Sequence, residues 1–264
     1  MQRIARGQHF TSPDNYLLLN EEATAGSLLT LVAQAAKDLQ AGDTLFLTFS
    51  GHGCRLPDKN ADEPSGYDSA WCMYDRAVVD DEVHEALSHL RAGVSVLVLS
   101  DSCHSGSIVA VGDKEWKPVA AGPSNGIVLV SDPQRAPRPA LLRGIKELTY
   151  EEFKDLYESN KVFYDGIQSR VPGPTRTAVQ ASVVLLAACQ DDQITEDGPD
   201  TSVFTSRVLA LWDDGRFTGT LQSFYDTLRA TADKNQMPSL YVVGKPATDL
   251  LANPPFTPIE RTTQ

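Results

Sequence analysis

The sequence predicts an α/β fold with a mostly parallel central sheet flanked by helices, and three runs predict it. Residues 43–50, 94–99 and 182–188 are strand-like runs, the second almost unbroken apolar and β-branched, and each stops in a cluster of polar residues or glycines. Strands buried on both faces of a parallel sheet read as such continuous runs rather than as alternations. Amphipathic helical patterns lie between them, which is the strand–helix–strand alternation of α/β proteins.

The remaining elements follow in order. Arg3, Ile4 and Arg6 belong to the end of a helix closing at Gly7, and residues 16–19 form a short strand. Thr24 is an N-cap, after which Leu28, Leu31, Val32, Ala35, Ala36 and Leu39 recur three or four apart until Gly42. That spacing gives one apolar helical stripe. Residues 54–71 read as a loop carrying Asp58, Asp62, Glu63 and Asp68. A helix capped by Asp80 or Asp81 then presents Val83, Ala86, Leu87 and Leu90, and Gly93 ends it. Residues 126–130 (GIVLV) are a short apolar run, and residues 147–159 a candidate helix. Helices are predicted over 201–212 and 220–232, and a last strand over 238–243, where Pro238 suits a first position or an edge. No repeat or linker divides the chain, so residues 1–264 are expected to form one domain, with 107–180 an irregular insertion within it.

Composition narrows the function. The net charge of −12 comes with no basic cluster, which argues against nucleic acid as a partner and favours cationic ligands. No apolar run approaches the roughly 18 residues a membrane span needs, and residues 1–14 do not read as a signal peptide. Four cysteines without metal-ligand spacing are expected as reduced thiols in a cytoplasm.

The chemistry lies where the strands end, which is where open α/β sheets bind ligands. The run VSVLVLSDSCHSGS at 94–107 delivers Cys103 to such an end, and TLFLTFSGHG at 44–53 delivers His52 between two glycines. If those strands are parallel neighbours, thiol and imidazole share a crevice, the arrangement of a cysteine–histidine hydrolase. The amides of Gly53 and Cys103 are candidates for an oxyanion hole. His104 is a weaker candidate base, because adjacent residues of an extended segment point opposite ways. Asp101, two before Cys103, and Asp191, after the third run, would put two carboxylates beside the thiol. Such a pair calls for a cation, and a substrate arginine or lysine is the natural one. Asp68, Asp80 and Asp81 are candidate calcium ligands, although helix capping explains the last two equally well. Cys54 and Cys72 read as unreactive, and no histidine is assigned to Cys189.

These motifs resemble those of bacterial metacaspases, also called orthocaspases, which are caspase-like cysteine peptidases of clan CD, family C14. The resemblance rests on TLFLTFSGHG, on VLVLSDSCHSGS, and on the separation of 51 positions from His52 to Cys103. DSAWC at 68–72, VVDDEV at 78–83 and AACQDDQ at 187–193 extend it. It implies a three-layer caspase–hemoglobinase fold and peptide-bond hydrolysis after arginine or lysine by a monomer. It assigns the basic-residue pocket to Asp101 and Asp191, and calcium stimulation to Asp68, Asp80 and Asp81. It also implies self-cleavage in some members, for which Arg135, Arg138 and Arg143 are candidate positions. Two departures stand out. The family's usual first strand does not stand in this sequence: either it is lost, which would leave a sheet edge uncovered, or the chain is a fragment. The acid often found after the CHSGS segment is replaced by Ile108-Val109-Ala110-Val111. A catalytically inactive interaction protein and a non-proteolytic thiol hydrolase are the alternatives.

Overall fold

The computed structural model describes residues 1–8, 10, 15–61, 65–103, 108, 126–131, 150–170, 178–189, 201–233, 236–245 and 248–258. A six-stranded sheet runs in the order β1 (Asn15–Leu19), β7 (Gly126–Ser131), β2 (Thr44–Ser50), β6 (Ser95–Asp101), β8 (Ser182–Ala187) and β9 (Ser239–Gly244). Every pairing is parallel except β8 with β9. The three long apolar runs are thus β2, β6 and β8, side by side, with all their carboxyl ends on one edge.

Helices cover both faces. On one side α2 (Ala25–Asp38) and α3 (Asp80–Ser88) pack Leu28, Val32, Val83 and Leu87 on Leu45, Leu47, Val96 and Val98. On the other, α1 (Gln2–Gly7), α6 (Val203–Trp212), α7 (Leu221–Ala230) and α8 (Thr248–Ala252) bring Ile4, Phe204, Val208, Phe224 and Leu251 onto Phe46, Leu97, Leu99 and Leu186. Alternate residues of one strand therefore feed opposite cores, as the pleat requires. Thr24, Ser202 and Thr220 cap their helices, each accepting from the backbone N–H three residues on.

Three expectations need correction. Residues 54–71 are not a plain loop: β3 (Gly53–Pro57), β4 (Tyr67–Cys72) and β5 (Ala77–Val79) form a separate antiparallel sheet. Its strands are short and interrupted by acids and prolines, so no period stands out. Region 107–180 is not irregular throughout, since it supplies β7 and the helices α4 (Tyr150–Ser159) and α5 (Lys161–Gln168). β7 lies between β1 and β2, a long-range pairing that no local pattern encodes. Finally, Asp80 and Asp81 do not cap α3. They open it behind Val79, whose N–H is bonded by Glu82 at 3.2 Å.

The small sheet and the α4–α5 pair enclose a third core of Cys54, Leu56, Cys72, Val79, Tyr157, Tyr164 and Ile167. The Tyr164 hydroxyl accepts from the Ala77 N–H at 3.1 Å, and burial pushes its pKa up to about 12. Tyr164→Phe leaves that N–H without its acceptor and is expected to cost about 1–3 kcal/mol, measured by urea unfolding.

Candidate active site

The site is built where β2 and β6 end. The two strands pair in register from Thr44 with Ser95 to Ser50 with Asp101. The chains stay together beyond the strands, because the Gly51 N–H donates to the Asp101 carbonyl at 3.2 Å. Two residues on, the backbone of Gly53 lies against that of Cys103. A Cβ at Gly53 would overlap the Cys103 carbonyl oxygen and stand 2.8 Å from its carbonyl carbon and 3.3 Å from its nitrogen. Only glycine permits so close a backbone approach. His52, between these two contacts, is half-buried, and its carbonyl accepts from the Cys72 N–H at 2.9 Å. Strand β4 therefore holds the histidine segment from behind while β6 delivers the cysteine in front.

Cys103 is fully buried, as are Ser100, Asp101 and Ser102 beneath it. The Trp71 indole N–H donates to Ser100 Oγ at 2.8 Å, and Ser100 Oγ lies 3.2 Å from Ser102 Oγ. Trp71 also stacks on Phe49 at 4.9 Å between ring centroids. The last residues of β2, β6 and β4 are thus locked to one another under the thiol.

Asp101 has its Oδ2 surrounded by hydroxyls. Thr205 Oγ1 donates to it at 2.5 Å, Ser202 Oγ donates as well, and Ser50 Oγ lies at 3.5 Å. Ser202 is the N-cap of α6, so the carboxylate also faces the positive end of that helix. A carboxyl group at zero exposure needs such donors around it. Ser202 stands at the start of the helix expected over 201–212, and its residue type is the one signal that marks it as a cap. The roles of Thr205, Ser50 and Trp71 had no local signal, since they depend on which strand ends meet.

The other expected residues divide. Asp68, Asp80 and Asp81 come together: all three are fully buried, and one ligand oxygen from each lies within 4.8 Å of the others. Asp80 also accepts from the N–H groups of Ser69 and Asp81, at 3.0 and 2.9 Å. Strand β8 neighbours β6 as expected, and Cys189 Sγ donates to the Ser102 carbonyl at 3.5 Å. Cys54 and Cys72 are in the third core, and all four cysteines are free thiols. Asp191, His104, Arg135, Arg138 and Arg143 lie outside the described residues, as do Asp62 and Glu63.

A mostly parallel, helix-covered sheet with a cysteine and a histidine segment at adjacent strand ends defines a protein of the caspase-like class. Residues 10–112 match the family model described as "Metacaspase, peptidase C14 domain". Metacaspase-1B of Aspergillus fumigatus is 45% identical over 89 residues, which are 32% of this chain and 22% of that protein. Metacaspase-1A of the same species is 40% identical over 91 residues, 33% of this chain and 22% of that protein. The matched stretch therefore spans about a fifth of these curated relatives. A crystal structure of protein GSU0716 from Geobacter sulfurreducens superposes with a TM-score of 0.71 at 31% identity, covering 92% of this chain and 82% of that one. Over residues 10–112 the chain is similar to the metacaspase-type C14 peptidases. No helix among the described residues is long and apolar enough to cross a membrane.

Proposed function

We propose that this chain is a cysteine endopeptidase that cleaves peptide bonds after arginine or lysine. The observation that carries the reading is the seating of Gly53 on the Cys103 backbone, which puts the His52 segment beside the nucleophile. In the proposed cycle the substrate's basic side chain enters toward Asp101 and Asp191. The Cys103 sulfur attacks the scissile carbonyl carbon, and the Gly53 and Cys103 amides meet the oxygen as it becomes negative. His52 gives a proton to the leaving amine, and water then splits the thioester. The hydroxyls of Ser202, Thr205 and Ser50 and the α6 N-terminus hold Asp101 in advance, so a guanidinium meets an oriented acceptor.

The same reading includes calcium stimulation. Three buried carboxylates within 4.8 Å of one another suit a hard cation, because their mutual repulsion in a low-dielectric interior needs a positive partner. Asp68, Asp80 and Asp81 would hold it, joining β4 to the start of α3. Bound calcium supplies charge neutralisation there rather than a step in the cleavage. Self-cleavage at Arg135, Arg138 or Arg143, a monomeric state and a cytoplasmic location complete the proposal.

An arginyl chloromethyl ketone is expected to label Cys103, read by mass spectrometry of the peptide. An unlabelled Cys103 in folded protein would favour an interaction protein instead. Labelling by small ester or amide probes but not by peptidyl ones would favour a non-proteolytic hydrolase. Asp101→Asn keeps the shape of the side chain but removes its charge. It is expected to lower kcat/KM for arginyl peptides by roughly the 2–5 kcal/mol that losing one partner of a buried ion pair costs. The loss should fall mainly on KM. An unchanged preference for arginine over a neutral P1 residue would move the pocket elsewhere.

A further inference from the structure

A calcium ion takes six to eight oxygens, and three aspartates need help to supply them. The chain has no carboxylate at residues 108–111, where Ile-Val-Ala-Val stands. The turn at residues 58–61, after β3, meets the cluster at Asp81. There the Asn60 side-chain amide reaches both carboxylate oxygens of Asp81, at 3.1 Å each. The turn is held by other groups. Asp58 Oδ1 accepts from the backbone N–H groups of Asn60 and Ala61, at 2.9 and 2.7 Å, and Ala61 takes a left-handed φ of 60°. From α5, Gln168 accepts from the Lys59 N–H at 2.7 Å and donates to the Pro57 carbonyl at 3.1 Å. Gln168 is fully buried, more than 100 positions from the turn it grips. These bonds are made by the turn's backbone, Asp58 and Gln168, while the Asn60 side chain reaches Asp81.

We propose that Asn60 is the fourth side chain of the cation site at Asp68, Asp80 and Asp81, and that Gln168 is the residue that positions it there. The inference rests on the calcium reading above. Side-chain amides offer both donors and an acceptor oxygen, and amide oxygens are ordinary calcium ligands. The amide can therefore satisfy Asp81 through Nδ2 when no cation is bound and face a cation through Oδ1. The α4–α5 pair becomes part of the cation response, because Gln168 ties α5 to the turn that carries Asn60.

The test is isothermal titration of calcium chloride into the full chain carrying Cys103→Ala, which prevents self-cleavage during the measurement. Asn60→Ala is expected to weaken binding roughly 10–100-fold, the usual loss when a group supporting a metal site is removed. Gln168→Ala should weaken it in the same direction. Asn60→Asp, which keeps an oxygen at the site, should bind at least as tightly as the parent while lowering the melting temperature without calcium. Affinity within twofold of the parent for Asn60→Ala, or tighter binding as from removal of a competitor, would overturn the assignment while the calcium reading stands. Absence of calcium binding by the folded parent would remove that reading and this inference together.

Discussion

Replacing Cys103 by alanine is expected to abolish cleavage of arginyl peptides, with a loss on the order of 10⁶-fold, as for removal of a catalytic nucleophile. The fold should survive. Cys103 is fully buried, but the structure around it is held by other atoms: the Gly51-to-Asp101 backbone bond, the Trp71-to-Ser100 bond and the β2–β6 pairing. The measurement is turnover of a fluorogenic arginyl peptide beside a thermal melt of the same preparation. A variant that melts like the parent and still cleaves would transfer the nucleophile to another residue. Cys189 would then be the first to examine, since its sulfur reaches the Ser102 carbonyl.

Gly53→Ala is the second. The added methyl meets backbone, the carbonyl carbon and nitrogen of Cys103, at 2.8 and 3.3 Å, and overlaps the carbonyl oxygen. No rotamer can relieve a clash with main chain, so β3 and the cysteine segment must part. Overpacking of this kind costs about 1–3 kcal/mol of stability. The effect on turnover should be larger, roughly 10²-fold or more, because a displacement near 1 Å misaligns reacting groups. Labelling of Cys103 should slow in parallel. A Gly53→Ala enzyme with parental kcat/KM would mean that the two segments need not touch for catalysis.

Much of this architecture was legible because parallel, buried strands announce themselves. β2, β6 and β8 are strand-like runs in the sequence, and Thr24 marks a helix start with a local hydrogen bond that follows from residue type, as Ser202 and Thr220 also do in the structure. The meeting of the His52 and Cys103 segments was expected only if their strands were parallel neighbours, and β2 and β6 are. The rest depends on contacts distant in sequence. β7 looks like any short apolar run, and only pairing on both sides shows its place in the sheet. Strands β3 to β5 are too short and too polar to carry a period. The grip of Gln168 on residues 57–59, and of Thr205 on Asp101, cannot be read from either residue's neighbours.

The sheet order has a consequence for a broken chain. The four neighbours β1, β7, β2 and β6 all come from residues before 132, and β8 and β9 from residues after 181. A single nick anywhere in 132–149 would divide the molecule along the β6–β8 seam, leaving Asp101 on one piece and its Ser202 and Thr205 donors on the other. Six paired positions and all three cores are shared between the two pieces. The halves would travel as a two-chain particle, each holding part of the acid pocket.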